Sequence, residues 1–177
     1  MSLVGTLLIA TPVMGDPNFV ESVVLVCAHD EQGAVGVVLD RPTEIAVDEH
    51  LPAWAANAAE PAMVFLGGPV QVDVAVVLAE AVATVDGWTP VVGAAGLIDL
   101  DDADPTAIGR VRVFAGYSGW AAGQLEGEIA SLDWIVVPAH PDDAFASDPS
   151  QIRARALHRK GGLFPAYLQY PEDPGLN

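Results

Sequence analysis

Two valine-rich runs joined by a short polar loop constrain the fold more than any other feature of this sequence. Residues 22–28 and 34–40 are nearly continuous in apolar side chains, and residues 30–33 (Asp-Glu-Gln-Gly) lie between them. Short apolar runs on either side of a glycine-containing loop of about three to five residues are typical of a β-hairpin. Because polar residues do not alternate with apolar ones, we expect both faces of each strand to be buried. The hairpin must therefore lie inside a layered structure.

The rest of the chain switches between strand and helix patterns. Residues 7–11 form a short apolar run that ends before Asp16-Pro17. Further strands are predicted at residues 63–66, 72–79, 110–115 and 134–137, with a weaker strand region through Ile98. Residues 110–115 alternate polar and apolar side chains, which predicts a half-buried strand.

Apolar residues at helical spacing predict a helix over residues 47–57 and another whose face carries Leu125, Ile129 and Leu132. Asp148-Pro149 can begin a third helix that Gly161-Gly162 ends, and a brief helical turn is predicted around Phe19. Because strands and helices interleave irregularly, we expect a mixed sheet with helices packed around it.

Length and charge limit the organisation of the chain and its partners. A chain of 177 residues that is 51% hydrophobic is predicted to form one folded domain over residues 1–177. Its 24 acidic and 7 basic residues give a net charge of −17, which repels nucleic acid and anionic lipid. Four of the cations lie within residues 153–160, where we expect them to complement the dipole of the last helix. No direct nucleic-acid partner is predicted.

The cellular location is predicted from features near the N-terminus and from the lack of a long apolar run. The best apolar run, from Val74 to Val85, is interrupted by Glu80 and is shorter than the roughly 20 residues that a membrane-spanning helix needs. The first ten residues carry no cationic region of the kind that begins a secretory signal. The single cysteine, Cys27, cannot form an internal disulfide. We predict a cytoplasmic protein with no membrane contact.

A glycine-rich segment, Gly116-Tyr117-Ser118-Gly119-Trp120, is the most suggestive candidate for a functional site. It is predicted to lie between a strand and a helix. A nucleophile elbow needs glycine two residues before and two residues after its serine, whereas position 120 is a tryptophan. We therefore predict that Ser118 caps the N-terminus of the following helix.

Glycines at positions 67, 68, 116 and 119 could offer backbone N–H groups to an anion. Neither pair is accompanied by the lysine and Ser/Thr of a phosphate-binding loop, so turn geometry is the favoured interpretation. The aromatic residues Tyr117 and Trp120 leave a small-molecule pocket open as a second interpretation.

No metal or cofactor is predicted. His29 and His140 each lie beside carboxylates, but neither has the paired histidines or cysteines of a metal site. The acidic stretch at residues 99–104 lacks the glycine and the twelfth-position glutamate of a calcium loop. Cys27 ends an apolar run and is predicted to be buried and inert.

Three blocks of sequence occur in an order and spacing that a known family shares. They are Pro12, Asp16-Pro17-Asn18-Phe19, Ser22-Val23-Val24, His29 and Gly33 to Val38; then Gly67-Gly68-Pro69-Val70; then Gly116 to Trp120, Gly123-Gln124-Leu125-Glu126 and Trp134. On these blocks the chain resembles the YqgE/AlgH family of bacterial proteins over nearly its whole length. The closing residues at 171–174 and Asn177 also fit, whereas Asp40 replaces an asparagine that the resemblance leads us to expect, and no tryptophan is found near Ile152.

The resemblance implies an α+β fold, in which a mixed β-sheet is curled into a pseudo-barrel with helices packed outside. It implies no catalytic residues, because the family's biochemical role is unassigned. A regulatory name carried by some members suggests transcriptional control. The net charge and the lack of a helix-turn-helix pattern make direct DNA binding an unfavoured interpretation.

Our leading hypothesis is a non-enzymatic cytosolic protein that binds a protein partner or a small ligand. The predicted binding surface combines Gly67-Gly68-Pro69 with the segment from Gly116 to Trp120, and His29 lies near it. The alternatives are an enzyme of unknown class that uses the same pocket, with His29 or Asp16 as acid or base, and a transcriptional regulator. The sequence predicts neither the ligand nor the oligomeric state.

Overall fold

The computed structural model describes residues 2–101 and 103–162, so the closing residues that fit the family resemblance lie outside the described part. Strands make up most of the regular secondary structure in the described chain, and three short α-helices accompany them. The strands are β1 (Thr6–Ala10), β2 (Val23–Asp30), β3 (Gly33–Val38), β4 (Pro42–Ala46), β5 (Met63–Leu66), β6 (Val70–Ala81), β7 (Thr89–Val92), β8 (Ala95–Leu97), β9 (Ile108–Ala121) and β10 (Trp134–Pro138). The helices are α1 (Val47–His50), α2 (Gln124–Ala130) and α3 (Ile152–Lys160).

The predicted hairpin is confirmed as β2 and β3. The two strands are antiparallel, with Val24 opposite Val38 and Leu25 opposite Val37. The first five residues of β2 are all buried, so apolar side chains fill both faces, as the near-continuous pattern predicted. Hydrophobic burial on two faces places this hairpin at the centre of the fold.

One mixed sheet contains all ten strands of the described chain and curls without closing. Its main path runs β10-β1-β2-β3-β9-β6-β8-β7, and β5 joins β9 in the one parallel pairing among them. Ile135 of β10 and Val91 of β7, from the two ends of this path, belong to the same buried cluster. A flat sheet could not bring both ends to one core, so the curled α+β sheet that the resemblance implied is confirmed.

Strand β9 organises the sheet because it has neighbours along both edges. One edge pairs with β6 over much of its length. The other edge pairs first with β5, at Phe114 and Ala115, and then with β3, at residues 118–121. The glycine-rich segment predicted to be a turn is therefore the end of this long strand.

Two further apolar clusters cover the outer face of the curled sheet. Helix α2 packs Leu125 against the β1–β2–β3 side, together with Trp120 and Trp134. The segment around Trp54 packs against the β6–β9 side. Helix α3 buries Ile152, and this confirms its predicted inward face.

Three predicted helical features differ in the structure. The helix predicted over residues 47–57 is divided into α1 and a 3-10 helix at Pro52–Asn57, because a proline cannot donate a backbone bond and disfavours helical geometry in the residue before it. Helix α2 ends at Ala130, and Leu132 is left 70% exposed at a positive φ of 65°. The chain near Phe19 forms a hydrogen-bonded turn and no helix.

Candidate functional site

The two glycine blocks lie against each other across adjacent chain segments. Gly67 donates its N–H to the carbonyl of Ala115 at 2.9 Å. A side chain at Gly67 would overlap the carbonyl of Gly116, and one at Gly68 would overlap the backbone of Tyr117. These glycines are buried and permit close backbone packing.

The prediction that Ser118 caps a helix is wrong. Ser118 lies inside β9, is completely buried, and donates its hydroxyl to the carbonyl of Gly67 at 3.1 Å. Helix α2 begins later, and the residue at its N-cap is Gly123. The error arose because Gly116 and Gly119 were interpreted as a turn, whereas a positive φ of 69° at Gly116 occurs within the strand.

Trp120 is buried in an aromatic cluster, and it also borders a small surface cavity. Its ring stacks on Phe19 with centroids 6.0 Å apart and meets Trp134 edge-on at 6.2 Å. The indole N–H groups of both tryptophans donate to Oε2 of Glu128 at 2.8 Å. One carboxylate thus satisfies two buried N–H donors and fixes both rings.

His29 joins the N-terminal segment to helix α2. Leu3 donates its N–H to Nδ1 at 3.0 Å, so the neutral ring carries its proton on Nε2, which donates to Oε1 of Glu126 at 2.8 Å. Hydrogen bonds from its own backbone and from His29 hold the pKa of Glu126 below its usual range. His29 and Trp120 also line one surface cavity of about 210 Å³ at the tip of the β2–β3 hairpin.

Two other residues considered in the sequence have defined surroundings. Burial raises the pKa of the Cys27 thiol to about 12, which keeps it protonated. Asp16 accepts a bond from the backbone N–H of Asn18 within an exposed turn.

Among the described residues, no three His, Cys, Asp or Glu side chains form a group that could hold a metal ion. No helix in that part of the chain is long and apolar enough to cross a membrane.

The first half of β6 protrudes from the sheet directly after the first glycine block. Val70 lies opposite Tyr117 and Ala75 opposite Ala115, so residues 71–74 face the single residue Gly116. This wide bulge leaves Val72 56% exposed and Val74 43% exposed. Large apolar side chains on a protruding, irregular strand are typical of an interaction surface.

Beside this bulge, the residues that the structure describes leave the outer edge of β6 uncovered. The carbonyl of Val77 faces that edge, where it accepts the N–H of Ile98 at 3.1 Å. Polar backbone groups alternate along a strand with a period of two, so those of Ala75 face the same edge. Within the described ranges, no loop or turn hydrogen bond reaches Ala75, and the β6–β8 pairing begins only at Leu78.

A groove of about 500 Å³ separates this edge from the chain that follows β8. Its apolar lining includes Leu51, Val77 and Ile98, which also belong to the outer cluster on the β6–β9 side. Asp99 and Asp101 also line it. We call residues 71–76 and this groove the edge surface.

These features define an α+β protein built on one open, mainly antiparallel sheet, in which the described residues leave an apolar strand edge uncovered. A family model described as AlgH-like matches residues 7–165, and the chain belongs to this family.

Curated relatives and solved structures agree with this assignment. A UPF0301 protein of Streptomyces avermitilis is 45% identical over 99% of this chain and 96% of its own length, and one of Mycolicibacterium vanbaalenii is 46% identical over 98% and 90%. The crystal structure of a Corynebacterium diphtheriae protein has a TM-score of 0.86 at 30% identity, covering 94% of this chain and 92% of its own. The solution structure of the AlgH protein from Pseudomonas aeruginosa has a TM-score of 0.71 at 31% identity, covering 96% and 94%.

Proposed function

We propose that this protein acts in the cytoplasm by binding another protein through the edge surface, without chemistry of its own. The observation that carries the proposal is a stretch of β6 that the described residues leave uncovered. Exposed valines lie there beside an apolar groove and beside backbone groups that have no partner among those residues. Capture of a partner in this way could regulate that partner directly. The proposal moves the binding surface from the glycine blocks to the strand that they position.

The other edges of the sheet support the proposal by contrast. Lys160 donates to the carbonyl of Val136 in β10 at 2.8 Å, and prolines lie within the edge strands β4 and β7, at Pro42 and Pro90. Lysine and proline on a strand edge are common protections against pairing with another chain. The described residues give the 71–76 stretch of β6 a bulge but no such cover.

The histidine cavity supports a small ligand less well. Its volume of about 210 Å³ is below the roughly 300 Å³ at which ligand pockets begin. His29 already uses both ring nitrogens, and the indole N–H of Trp120 is taken by Glu128. The polar groups that would orient a ligand are therefore committed to the fold.

Site-specific photo-crosslinking in cells tests the proposal. A photoreactive amino acid at Val72 or Val74 is expected to form an adduct of defined mass with another protein. The matched control is Val13, which is 67% exposed but lies far along the chain from β6 and outside the edge surface. Equal adducts at Val13 and Val72, or a product of only twice the chain mass, would contradict the proposal.

A further inference from the structure

We infer that the segment bound at the edge surface is an extended peptide in which apolar residues alternate with lysine or arginine, and that it adds to the sheet as a strand along β6. This inference rests on the proposed function and specifies the chemistry of the partner. It is carried by three observations on the same surface: backbone geometry, apolar lining and charge.

Backbone geometry provides the hydrogen bonds. From Ala75 to Ala79 the register of β6 against β9 is regular, with Ala75 opposite Ala115 and Val77 opposite Val113. The carbonyl of Ala115 bonds to Gly67 on the far side of β9, so the polar groups of Ala75 point away from β9. An added strand would therefore meet the N–H and C=O of Ala75 in ordinary sheet geometry.

The groove provides the space for such a strand. Strands β6 and β8 are paired from Leu78 to Glu80. Among the described residues, the bond from the N–H of Ile98 to the carbonyl of Val77 is the last backbone hydrogen bond between the two segments on this side. Beyond this point Ala75 and Val76 line the same groove as Asp99 and Asp101. A strand inserted at this fork would extend the sheet and cover the apolar lining with alternate side chains.

Charge selects a cationic strand over an acidic one. Asp99 and Asp101 line the groove, and Asp73 is exposed in the bulge. The chain as a whole carries −17, so its field attracts cations and repels acidic segments. A segment that alternates apolar residues with lysine or arginine places each type of side chain against its complement.

Fluorescence anisotropy with synthetic peptides tests the strand mode and the charge preference separately. The probe is a short fluorescein-labelled peptide that alternates valine with lysine and arginine. One control replaces each cation with glutamate, and a second keeps every side chain but N-methylates alternate backbone nitrogens, which removes strand hydrogen bonds. The cationic probe is expected to bind, the acidic control is expected not to bind, and the N-methylated control is expected to bind about tenfold more weakly or worse.

Matched protein variants identify the groove as the site. Asp99→Asn combined with Asp101→Asn is expected to weaken binding of the cationic probe several-fold and to reduce its salt dependence. In the parent protein, Oδ1 of Asp99 accepts the backbone N–H of residue 101. An asparagine at position 99 keeps that oxygen, so the loop is retained. The control Glu31→Gln with Glu44→Gln makes the same change in net charge at exposed positions outside the groove and is expected to bind as the unmodified protein does. Thermal unfolding confirms that both variants are folded.

The results separate this inference from the function on which it rests. Equal binding of the N-methylated and parent peptides, equal binding of acidic and cationic peptides, or no binding of any probe would overturn the cationic strand. If adducts at Val72 and Val74 persisted in any of those cases, the edge surface would still bind a protein in another way. If the adducts were absent as well, both proposals would fail.

Discussion

At the residue scale, the burial of Arg112 is a feature that the alternation of polar and apolar residues does not predict. The sequence predicted a half-buried strand at residues 110–115, yet Arg112 is only 2% exposed. Its guanidinium donates three bonds, to the carbonyls of Glu60, Pro61 and Ala146, and lies 4.3 Å over the ring of Phe65. Burial, followed by the nearby charge of Arg110, lowers its pKa to about 10. Alternation shows which side chains share a face, but a distant segment decides whether that face is covered.

We expect Arg112→Met to destabilise the protein by about 3 kcal/mol or more, because it leaves buried carbonyls without donors. The matched substitution Arg110→Met breaks a partly exposed ion pair with Glu80 and is expected to cost about 1 kcal/mol. Urea unfolding of both variants measures the difference. Equal losses would show that the three backbone bonds of Arg112 contribute little.

Asp40 is expected to make stability depend on pH. Burial raises its pKa from 3.8 to about 6, although the N–H of Val23 donates to the carboxylate. The folded state disfavours the ionised form of Asp40. The contribution of this residue to the free energy of unfolding is therefore fully present below pH 3.8 and is lost as the pH rises through about 6.

Asp40→Asn keeps an oxygen for Val23 and removes the charge. The variant is expected to be about 1–2 kcal/mol more stable than the parent at neutral pH and to show no gain near pH 4. Urea unfolding across this range measures the effect. A variant that is less stable than the parent at neutral pH would show that the carboxylate is stabilising when ionised.

At the element scale, local patterns predicted the strands well and their connections poorly. The β2–β3 hairpin followed from its two apolar runs, and β5 and β10 were found at or within one residue of their observed bounds. The end of β9 was missed because glycines at positions 116 and 119 are typical of turns. Its three strand neighbours come from distant parts of the chain, and so does the groove of the edge surface. Sequence periodicity carries no signal for such non-local pairing.

Two glycine substitutions are expected to have opposite effects. A Cβ at Gly116 would lie 2.7 Å from the carbonyl oxygen of Val70 and 2.8 Å from that of Gly68, at a φ that favours glycine. Gly116→Ala is therefore expected to destabilise the protein by more than about 2 kcal/mol. Gly127 lies in α2 with open space around it, and Gly127→Ala is expected to stabilise by about 0.5–1 kcal/mol. Thermal unfolding measures both, and a neutral Gly116→Ala would contradict the close packing of the bulge on β9.

At the scale of the whole molecule, an acidic chain curls one sheet around a core, and its described residues leave part of one strand uncovered. Most of the cations with described contacts hold the fold together: Arg159 pairs with Asp143, Arg110 with Glu80, and Arg153 donates to the carbonyl of Ala10. The acidic residues are left to dominate the outer surface. Strand edge, apolar groove and negative field coincide at β6, and this coincidence is the basis of the proposed partner-binding function.

The most direct measurement is a backbone amide NMR titration of the isotope-labelled protein with the cationic peptide. We expect the amide of Ala75 to shift and to exchange more slowly with solvent as the peptide is added, because it gains a hydrogen bond. The amide of Val24, in the buried hairpin, is expected to stay unchanged. Shifts centred on His29 and Trp120, with Ala75 unaffected, would contradict the account and move the binding site to the hairpin cavity.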